Sequence, residues 1–358
     1  MVRASGESSC WRRGTADNAR MRLFKPLSPR AEGILAALVT VSIWTSFIVV
    51  ARATADPSRG GTLTPFDIAF ARLLGAGICL LPLGWWLVRK DRAQGVGASS
   101  VFGFSPLPLR VTAGAGLCGG LLYALLAYNG FVFAPAGHAS VLLPGSLPLW
   151  TALMAAVVLH TRITSARALG LLLIVAGDLM VGGSSLLHAF DGGRVWMGDL
   201  LFMAAAFSWS IYTVTARKHA LDAVRATVAI TAFAFFVYVP AYAVLLALRL
   251  VPGHFFGAPL HDIVFQMVFQ GVGSVVVSGI AFTRMIQHFG PVRSTMMTAV
   301  VPGLSALAAV LFLGEPLYWN LSLGLMLVTL GIVFGVRSSA VPAGVPASAG
   351  VVVPGRAR

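Results

Sequence analysis

The chain has 358 residues, of which 57% are apolar and only 11% are charged, whereas about a quarter of an ordinary soluble domain is charged. This composition excludes a soluble enzyme and a soluble binding module, because water cannot be the main solvent for such a surface. The formal net charge of +14 would suggest a nucleic-acid partner in a soluble protein. Here the basic residues lie mostly in tails and loops, as they do in membrane proteins, so we expect no nucleic-acid partner.

The chain begins with a basic tail, residues 1–32, that lacks the apolar core and the small-residue cleavage site of a signal peptide. Ten apolar segments follow, and each could cross about 30 Å of hydrocarbon as a helix. They are 33–52, 66–88, 112–134, 138–160, 167–186, 197–217, 227–248, 263–286, 293–314 and 318–336. The segments lack the alternation of barrel strands, so we expect an all-α polytopic membrane protein. Residues 337–358, rich in Pro, Ala, Val and Gly, are expected to form a disordered tail.

The distribution of Lys and Arg predicts the orientation of the ten segments. With the N-terminus in the cytoplasm, twenty of these residues fall in cytoplasmic tails and loops, and four fall on the opposite side. Positive residues collect on the cytoplasmic side of membrane proteins. We therefore expect both termini, and both tails, in the cytoplasm.

The two halves of the chain, 33–186 and 197–336, resemble each other. The first segment matches the sixth at an offset of 165, and the third to fifth match the eighth to tenth at an offset of 154. The matched pairs include Trp44 with Trp209, Pro148 with Pro302, Gly170 with Gly324 and Gly177 with Gly331. Because each half has five helices, the second half enters the membrane from the opposite side. Two inverted bundles around a shared central site are typical of transporters that work by alternating access.

The segments GDLLFMAAAFSWSIYTVTARK and TMMTAVVPGLSALAAVLFLGEPLYWNLSLGLMLVTLGIVFG, with their degenerate copies in the first half, resemble the EamA family of the drug/metabolite transporter superfamily. The likeness covers residues 33–336. It implies ten transmembrane helices as two inverted five-helix repeats, with a central cavity between them. It also implies a bacterial inner-membrane exporter or exchanger of small metabolites.

The first half departs from the family pattern at one acidic position. The second half has Gly314-Glu315-Pro316, but the residue equivalent to Glu315 in the first half is Thr161. Because Glu315 lies at the end of a segment, we expect it to tie a helix end at the outer interface. We expect structural roles for Pro148 and Pro302 as well.

Several polar and aromatic residues inside the segments are candidates to line a substrate cavity. They are Trp44, Arg72, Tyr128, Asn129, Trp209, Tyr212 and Arg284. Aromatic rings and amides can hold organic molecules, and a charged group inside a membrane is costly unless it faces protein or water. The alternatives are aromatic packing between helices, and arginines that pair with carbonyls or extend to the membrane surface.

Asp178 lies near the middle of the fifth segment. A carboxyl group at this depth could bind and release a coupling proton near neutral pH. The alternative is that a neighbouring Ser, Thr or Arg holds it at a helix contact. His and Cys residues show no metal-ligand spacing, and we expect neither a metal nor a cofactor.

These features predict a secondary active transporter that moves a small organic metabolite, such as an amino acid or a drug-like compound, across the cytoplasmic membrane by alternating access. Its partners would be this substrate, the lipid bilayer and a coupling proton, without an obligate protein partner. The alternative is a membrane-embedded enzyme acting on a lipid-linked substrate. That enzyme would need polar catalytic groups clustered at one interface, whereas the few polar groups here are dispersed. We therefore expect that the chain is not an enzyme.

Overall fold

The computed structural model describes residues 28–95, 103–187 and 193–337. In these ranges the chain forms ten long helices and no strand. The helices are α1 (Pro29–Ala55), α2 (Pro65–Ala93), α3 (Leu109–Phe133), α4 (Ala136–Val158), α5 (Ser165–Leu187), α6 (Val195–Lys218), α7 (Ala223–Ala247), α8 (Leu260–Phe289), α9 (Pro291–Leu313) and α10 (Trp319–Arg337). Nearly all of the two predicted tails lies outside the described residues.

The ten helices correspond one to one to the ten predicted apolar segments, which confirms the all-α membrane architecture. Among the described residues, nine helices are long and apolar enough to cross a bilayer, and the apolar part of α10, Trp319–Phe334, is shorter. Helix α1 begins four residues before the predicted segment. Ser28 accepts a hydrogen bond from the Ala31 amide, and Pro29 occupies the first turn, where its missing N–H costs nothing.

Close contacts between α5 and α10 show the inverted repeat directly. A Cβ atom on Gly177 of α5 would lie 2.6 Å from the carbonyl oxygen of Gly324 on α10, and one on Gly331 would lie 2.5 Å from that of Gly170. At the offset of 154, Gly177 is equivalent to Gly331 and Gly170 is equivalent to Gly324. The two approaches are therefore the same contact, repeated in the two halves of the chain. The two helices therefore pack backbone to backbone about a pseudo-twofold axis, which small residues permit in membranes.

The ends of α4 and α9 repeat the same turn in the two halves. His160 (φ 52°) and Gly314 (φ 65°) both adopt the left-handed conformation after the helix. The next amide donates back to the helix in each case, from Thr161 to Ala155 O and from Glu315 to Ala309 O, both at 3.3 Å. The backbone turn is thus conserved between the repeats although the acidic side chain is not.

The prolines predicted to be structural also occupy equivalent places. Pro148 and Pro302 each stand in the first turn of a regular α-helical stretch, Leu147–Val158 in α4 and Val301–Leu313 in α9. A distorted stretch precedes each of them, the wide π-helical turns of Val141–Gly145 and the tight turn of Thr298–Val300. Proline suits this position because a first turn has no acceptor for its N–H.

Two ionic contacts define the opposite ends of the bundle. Arg52, at the end of α1, lies 3.3 Å from Glu315, which follows α9; we call this end the Glu315 face. Asp91, at the end of α2, accepts two hydrogen bonds from Arg225 at the start of α7, at 2.6 and 2.8 Å. We call that end the Asp91 face.

Candidate functional site

An aromatic cluster lies between the two repeats. The rings of Trp44 (α1) and Trp209 (α6), which are equivalent in the two repeats, meet edge to face at a centroid distance of 5.9 Å. Phe282, Tyr123 and Tyr212 pack around Trp209 at 4.8–5.7 Å. Because residues related by the pseudo-twofold axis touch here, the axis passes between the two tryptophans. The predicted pair thus meets at the centre of the molecule.

A buried arginine lies beside this cluster. Arg72 of α2 is 5% exposed and donates to the hydroxyl groups of Tyr128 at 3.1 Å and Ser274 at 3.4 Å. Tyr128 in turn donates to Gln270 Oε1 at 2.9 Å. Within the described residues, both of the hydrogen bonds formed by Arg72 go to neutral oxygens, so the site keeps a net positive charge.

Further hydrogen-bonding atoms in this region have no partner within the described part of the chain. They are the indole nitrogen of Trp209, the amide nitrogen of Gln270 and the hydroxyl of Thr231. Two of the three groups are obligate donors. Buried donors are usually paired, so a cationic arginine and two free N–H groups in one region are suited to an acceptor-rich, anionic ligand.

Wide π-helical turns in α3 and α8 shape the space in front of Arg72. They span Leu117–Leu122 and Met267–Val277, and the offset of 154 places the first within the second. A wide turn frees backbone carbonyls, and Ser208 satisfies one of them by donating to Cys118 O at 2.8 Å. Such turns are frequent at functional sites, and this pair brings Gly119 and Ser274 to the same cavity wall.

The space around Trp209 is divided into two small cavities. One, of about 20 Å3, borders Trp44, Phe47 and Pro144, and the other, of about 30 Å3, borders Arg72, Tyr212 and Thr231. The described side chains that line them include no Asp or Glu. Each cavity has room for about one water molecule, whereas small-molecule sites usually measure about 300–1,000 Å3. The central site is therefore closed in this conformation.

The structure brings five of the seven predicted cavity residues together and places two elsewhere. Asn129 turns back on its own helix and donates to Leu125 O at 2.8 Å. Arg284 pairs with Glu32 at the Asp91 face, where both side chains are more than a third exposed. Tyr212 contributes its hydroxyl to a contact with Thr283 at 2.6 Å.

Sequence reasoning missed Gln270 and Ser274, because an isolated amide or hydroxyl in an apolar segment gives no signal of what it faces.

Glu315 joins three elements at its face. Its carboxylate accepts from the Gly137 amide at the start of α4 at 3.2 Å and lies near the guanidinium groups of Arg52 and Arg59. Asp56 completes the network with a contact to Arg52 at 2.9 Å. Burial raises the pKa of Asp56, but hydrogen bonds from Ser58 and the two arginine charges outweigh this effect, so the pKa lies below its ordinary value.

Asp178 lies outside the central site, on α5. Its side chain is 6% exposed, and neither carboxyl oxygen has a hydrogen-bond partner within the described residues. It borders a cavity of about 310 Å3 between α4, α5 and α6, which Asp199 also borders. Sequence spacing gave no sign of this second carboxyl group, since the two belong to different repeats. The described residues contain no group of three His, Cys, Asp or Glu side chains that could hold a metal ion.

Comparison with known proteins agrees with this architecture. The model of the EamA-like transporter family matches residues 31–183 and 196–337. A curated protein of Clostridium kluyveri (strain ATCC 8527 / DSM 555 / NBRC 12016 / NCIMB 10680 / K1), described as an uncharacterized transporter, is 22% identical over 79% of this chain and 86% of its own. A solved crystal structure shares the fold with a TM-score of 0.55 and 22% identity, over 87% of this chain and 99% of that one. Two family matches that together span most of the chain show that it belongs to the EamA-like transporter family, as a membrane transporter of ten helices in two inverted repeats.

Proposed function

We propose that the chain is a secondary active transporter for a small organic metabolite that carries a carboxylate, such as an amino acid. The observation that supports this substrate class is the buried charge of Arg72, whose hydrogen bonds to the described residues go to neutral hydroxyl groups. A membrane-buried cation is costly unless it has a counter-charge or water. A substrate carboxylate would supply that counter-charge.

The neighbouring groups suit the rest of such a molecule. The planar guanidinium of Arg72 can hold a carboxylate through two parallel hydrogen bonds. The N–H groups of Trp209 and Gln270, which have no partner in the part of the chain that the structure describes, can donate to the same or to a second acceptor. The rings of Trp44 and Trp209 offer faces and edges for an apolar or aromatic substrate side chain, or for a drug-like ring.

The closed central site supports transport by alternating access. Space for one water molecule on either side of Trp209 must widen before a metabolite can enter. In two inverted repeats the conformation of one half can be adopted by the other, which would open the same site first to one face and then to the opposite one. Twenty of the Lys and Arg residues lie in tails and at the Asp91 face, so this face would be cytoplasmic and the Glu315 face external.

In this proposal the protein works in the bacterial cytoplasmic membrane as an exporter or exchanger, without a cofactor and without enzyme activity. Ligand binding to purified protein tests the substrate class. Amino acids that occupy the site should raise the melting temperature by several degrees, because a ligand that binds only the folded state stabilises it. Each amino acid is paired with the amine left after removal of its carboxylate, which should give no shift.

The variant Arg72→Gln should lose the shift with every amino acid and keep its own melting temperature within a few degrees of the wild type. Arg249→Gln, which removes a cation from the connection after α7, is the matched control and should keep the shift. Equal stabilisation by the amines, or by amino acids in Arg72→Gln, would contradict the proposed site.

A further inference from the structure

The strongest feature outside the central site is the unpartnered carboxyl group of Asp178. An ionised carboxylate needs several donors when it is removed from water, and Asp178 has none within the described residues. A neutral carboxyl group fits this environment far better. Asp178 would therefore hold a proton in this conformation.

A second observation connects Asp178 to the Glu315 face. Asp199, near the start of α6, borders the same cavity and lies 2.9 Å from His138 Nδ1 at the start of α4. Gly182, one turn from Asp178 on α5, lies against Asp199: a Cβ atom there would be 3.9 Å from Asp199 Oδ2. The same Cβ atom would lie 3.9 Å from the side chain of Leu142, so Gly182 brings the backbone of α5 into van der Waals range of both Asp199 and Leu142.

His138 in turn borders a wide cavity at the Glu315 face. This cavity measures about 1040 Å3, and its wall includes Pro135, Tyr318 and Asn320. The imidazole thus lies between an open cavity and a buried carboxyl group. Histidine is suited to this place because its imidazole has two ring nitrogens, one of which can take up a proton while the other releases one.

We propose that Asp178 is a proton-binding site that is loaded from the Glu315 face through His138 and Asp199. A proton taken up by the imidazole of His138 passes to the Asp199 carboxylate and from there to the carboxylate of Asp178, which becomes the neutral acid. The cavity of about 310 Å3 has space for bridging water, with polar partners in Asp178, Asp199 and the unpartnered indole N–H of Trp150.

Among the described residues, the surroundings of Asp178 contain no further group that would take the proton. On its own helix the residues one turn away, Ile174, Val175, Val181 and Gly182, are apolar or small. Helix α10 packs opposite through Gly324 and Val328, and Trp319–Phe334 has no titratable side chain. Of the described titratable groups, those that face the site from the other packed helices are Asp199 on α6 and His138 on α4. The site goes beyond the proposed function, because it would couple proton entry to whichever substrate the centre carries.

Infrared difference spectroscopy of the protein in lipid tests the site without any substrate. Spectra taken between alkaline and neutral pH should show the band of a protonated carboxyl group appearing as the pH falls. Asp178→Asn should remove this band, and Asp178→Glu should keep it at a shifted frequency. Asp262→Asn, which removes a carboxylate from the start of α8 at the same face, is the matched control and should keep the band. Persistence of the band in Asp178→Asn would overturn the proposal.

The loading path is tested by the rate at which the band appears after a pH jump. His138→Gln should slow it at least tenfold, as should Gly182→Val, which places a branched side chain against the carboxyl group of Asp199. The control His261→Gln removes an exposed histidine from the same face and should leave the rate unchanged. A wild-type rate in His138→Gln would overturn the path.

If Asp178→Asn does not fold, the shifted band of Asp178→Glu decides the identity of the protonated group.

Discussion

Gly177 and Gly324 lie so close across α5 and α10 that a Cβ atom on Gly177 would stand 2.6 Å from the carbonyl oxygen of Gly324. The pseudo-symmetric partners Gly170 and Gly331 repeat this approach along the same interface. Backbone contact of this kind fixes the helix separation, because a methyl group has no space. The two repeats are therefore joined along an interface of α5 and α10 in which Gly177, Gly324 and Gly331 leave no space for a Cβ atom.

Gly177→Ala should destabilise the protein by about 1–3 kcal/mol, since the added methyl group must push α10 away. The control is Gly183→Ala on the same helix, where a Cβ atom would meet nothing within 4 Å. That variant gains helix propensity without a clash. Unfolding in SDS titrations measures both. Equal stability of the two variants would show that the helices do not pack as described.

Glu315 should stabilise the Glu315 face through its charge as well as its hydrogen bonds. Glu315→Gln keeps an acceptor for the Gly137 amide but removes the charge that faces Arg52, and should cost about 1–3 kcal/mol of unfolding free energy. The same free energy is then measured in a double-mutant cycle with Arg52→Gln. The sum of the losses in the two single variants should exceed the loss in the double variant by more than about 0.5 kcal/mol. Strict additivity would mean that the two side chains do not interact.

The low pKa of Asp56 predicts how this network responds to acid. A carboxyl group with a folded-state pKa below its unfolded value of 3.8 stabilises the fold above that value, and the contribution is lost as the pH falls through the folded-state pKa. The melting temperature of Asp56→Asn should thus be lower than that of the wild type at neutral pH. The difference should narrow below about pH 4. A difference that stays constant down to pH 3 would contradict the assigned direction.

Trp209 should contribute to ligand binding through its N–H as well as its ring. Trp209→Phe keeps an aromatic ring in contact with Trp44 but removes the unpartnered donor, and should weaken amino-acid binding about five- to tenfold, as expected for one hydrogen bond of about 1 kcal/mol. Trp196→Phe, at the wall of the cavity that Asp178 and Asp199 border, is the control and should leave the affinity for amino acids unchanged. Calorimetric titration measures both. Unchanged affinity in Trp209→Phe would remove the indole from the site.

The sequence was sufficient to predict the ten helices and the inverted repeat, because a bilayer demands long apolar helices and the repeat leaves Trp44, Trp209 and the paired glycines at constant offsets. It also singled out Arg72 and Tyr128 as separate cavity candidates, and the structure joins them by a hydrogen bond of 3.1 Å. It failed where contacts between distant segments decide the outcome. Arg284 was a cavity candidate, yet it pairs with Glu32, since a long side chain near a helix end can reach a carboxylate at the bundle surface.

The proximity of His138, Asp199 and Asp178 was equally beyond the sequence. These residues lie on α4, α6 and α5, and no spacing rule links three helices of two different repeats. Only the packing of α6 against the first repeat brings Asp199 to His138. The boundary of α1 shows a smaller difference of the same kind, because Ser28 and Pro29 extend the helix beyond its apolar segment.

Counterflow in proteoliposomes measures whether the protein carries amino acids across the membrane through the site between the two repeats. Vesicles that contain the purified protein are loaded with an unlabelled amino acid that stabilises it, and the transient uptake of the labelled amino acid is recorded. We expect transient accumulation in the wild type, loss of accumulation in Arg72→Gln and full accumulation in Arg249→Gln. Absence of accumulation by folded wild-type protein, or equal accumulation by Arg72→Gln, would contradict transport through the site between the two repeats.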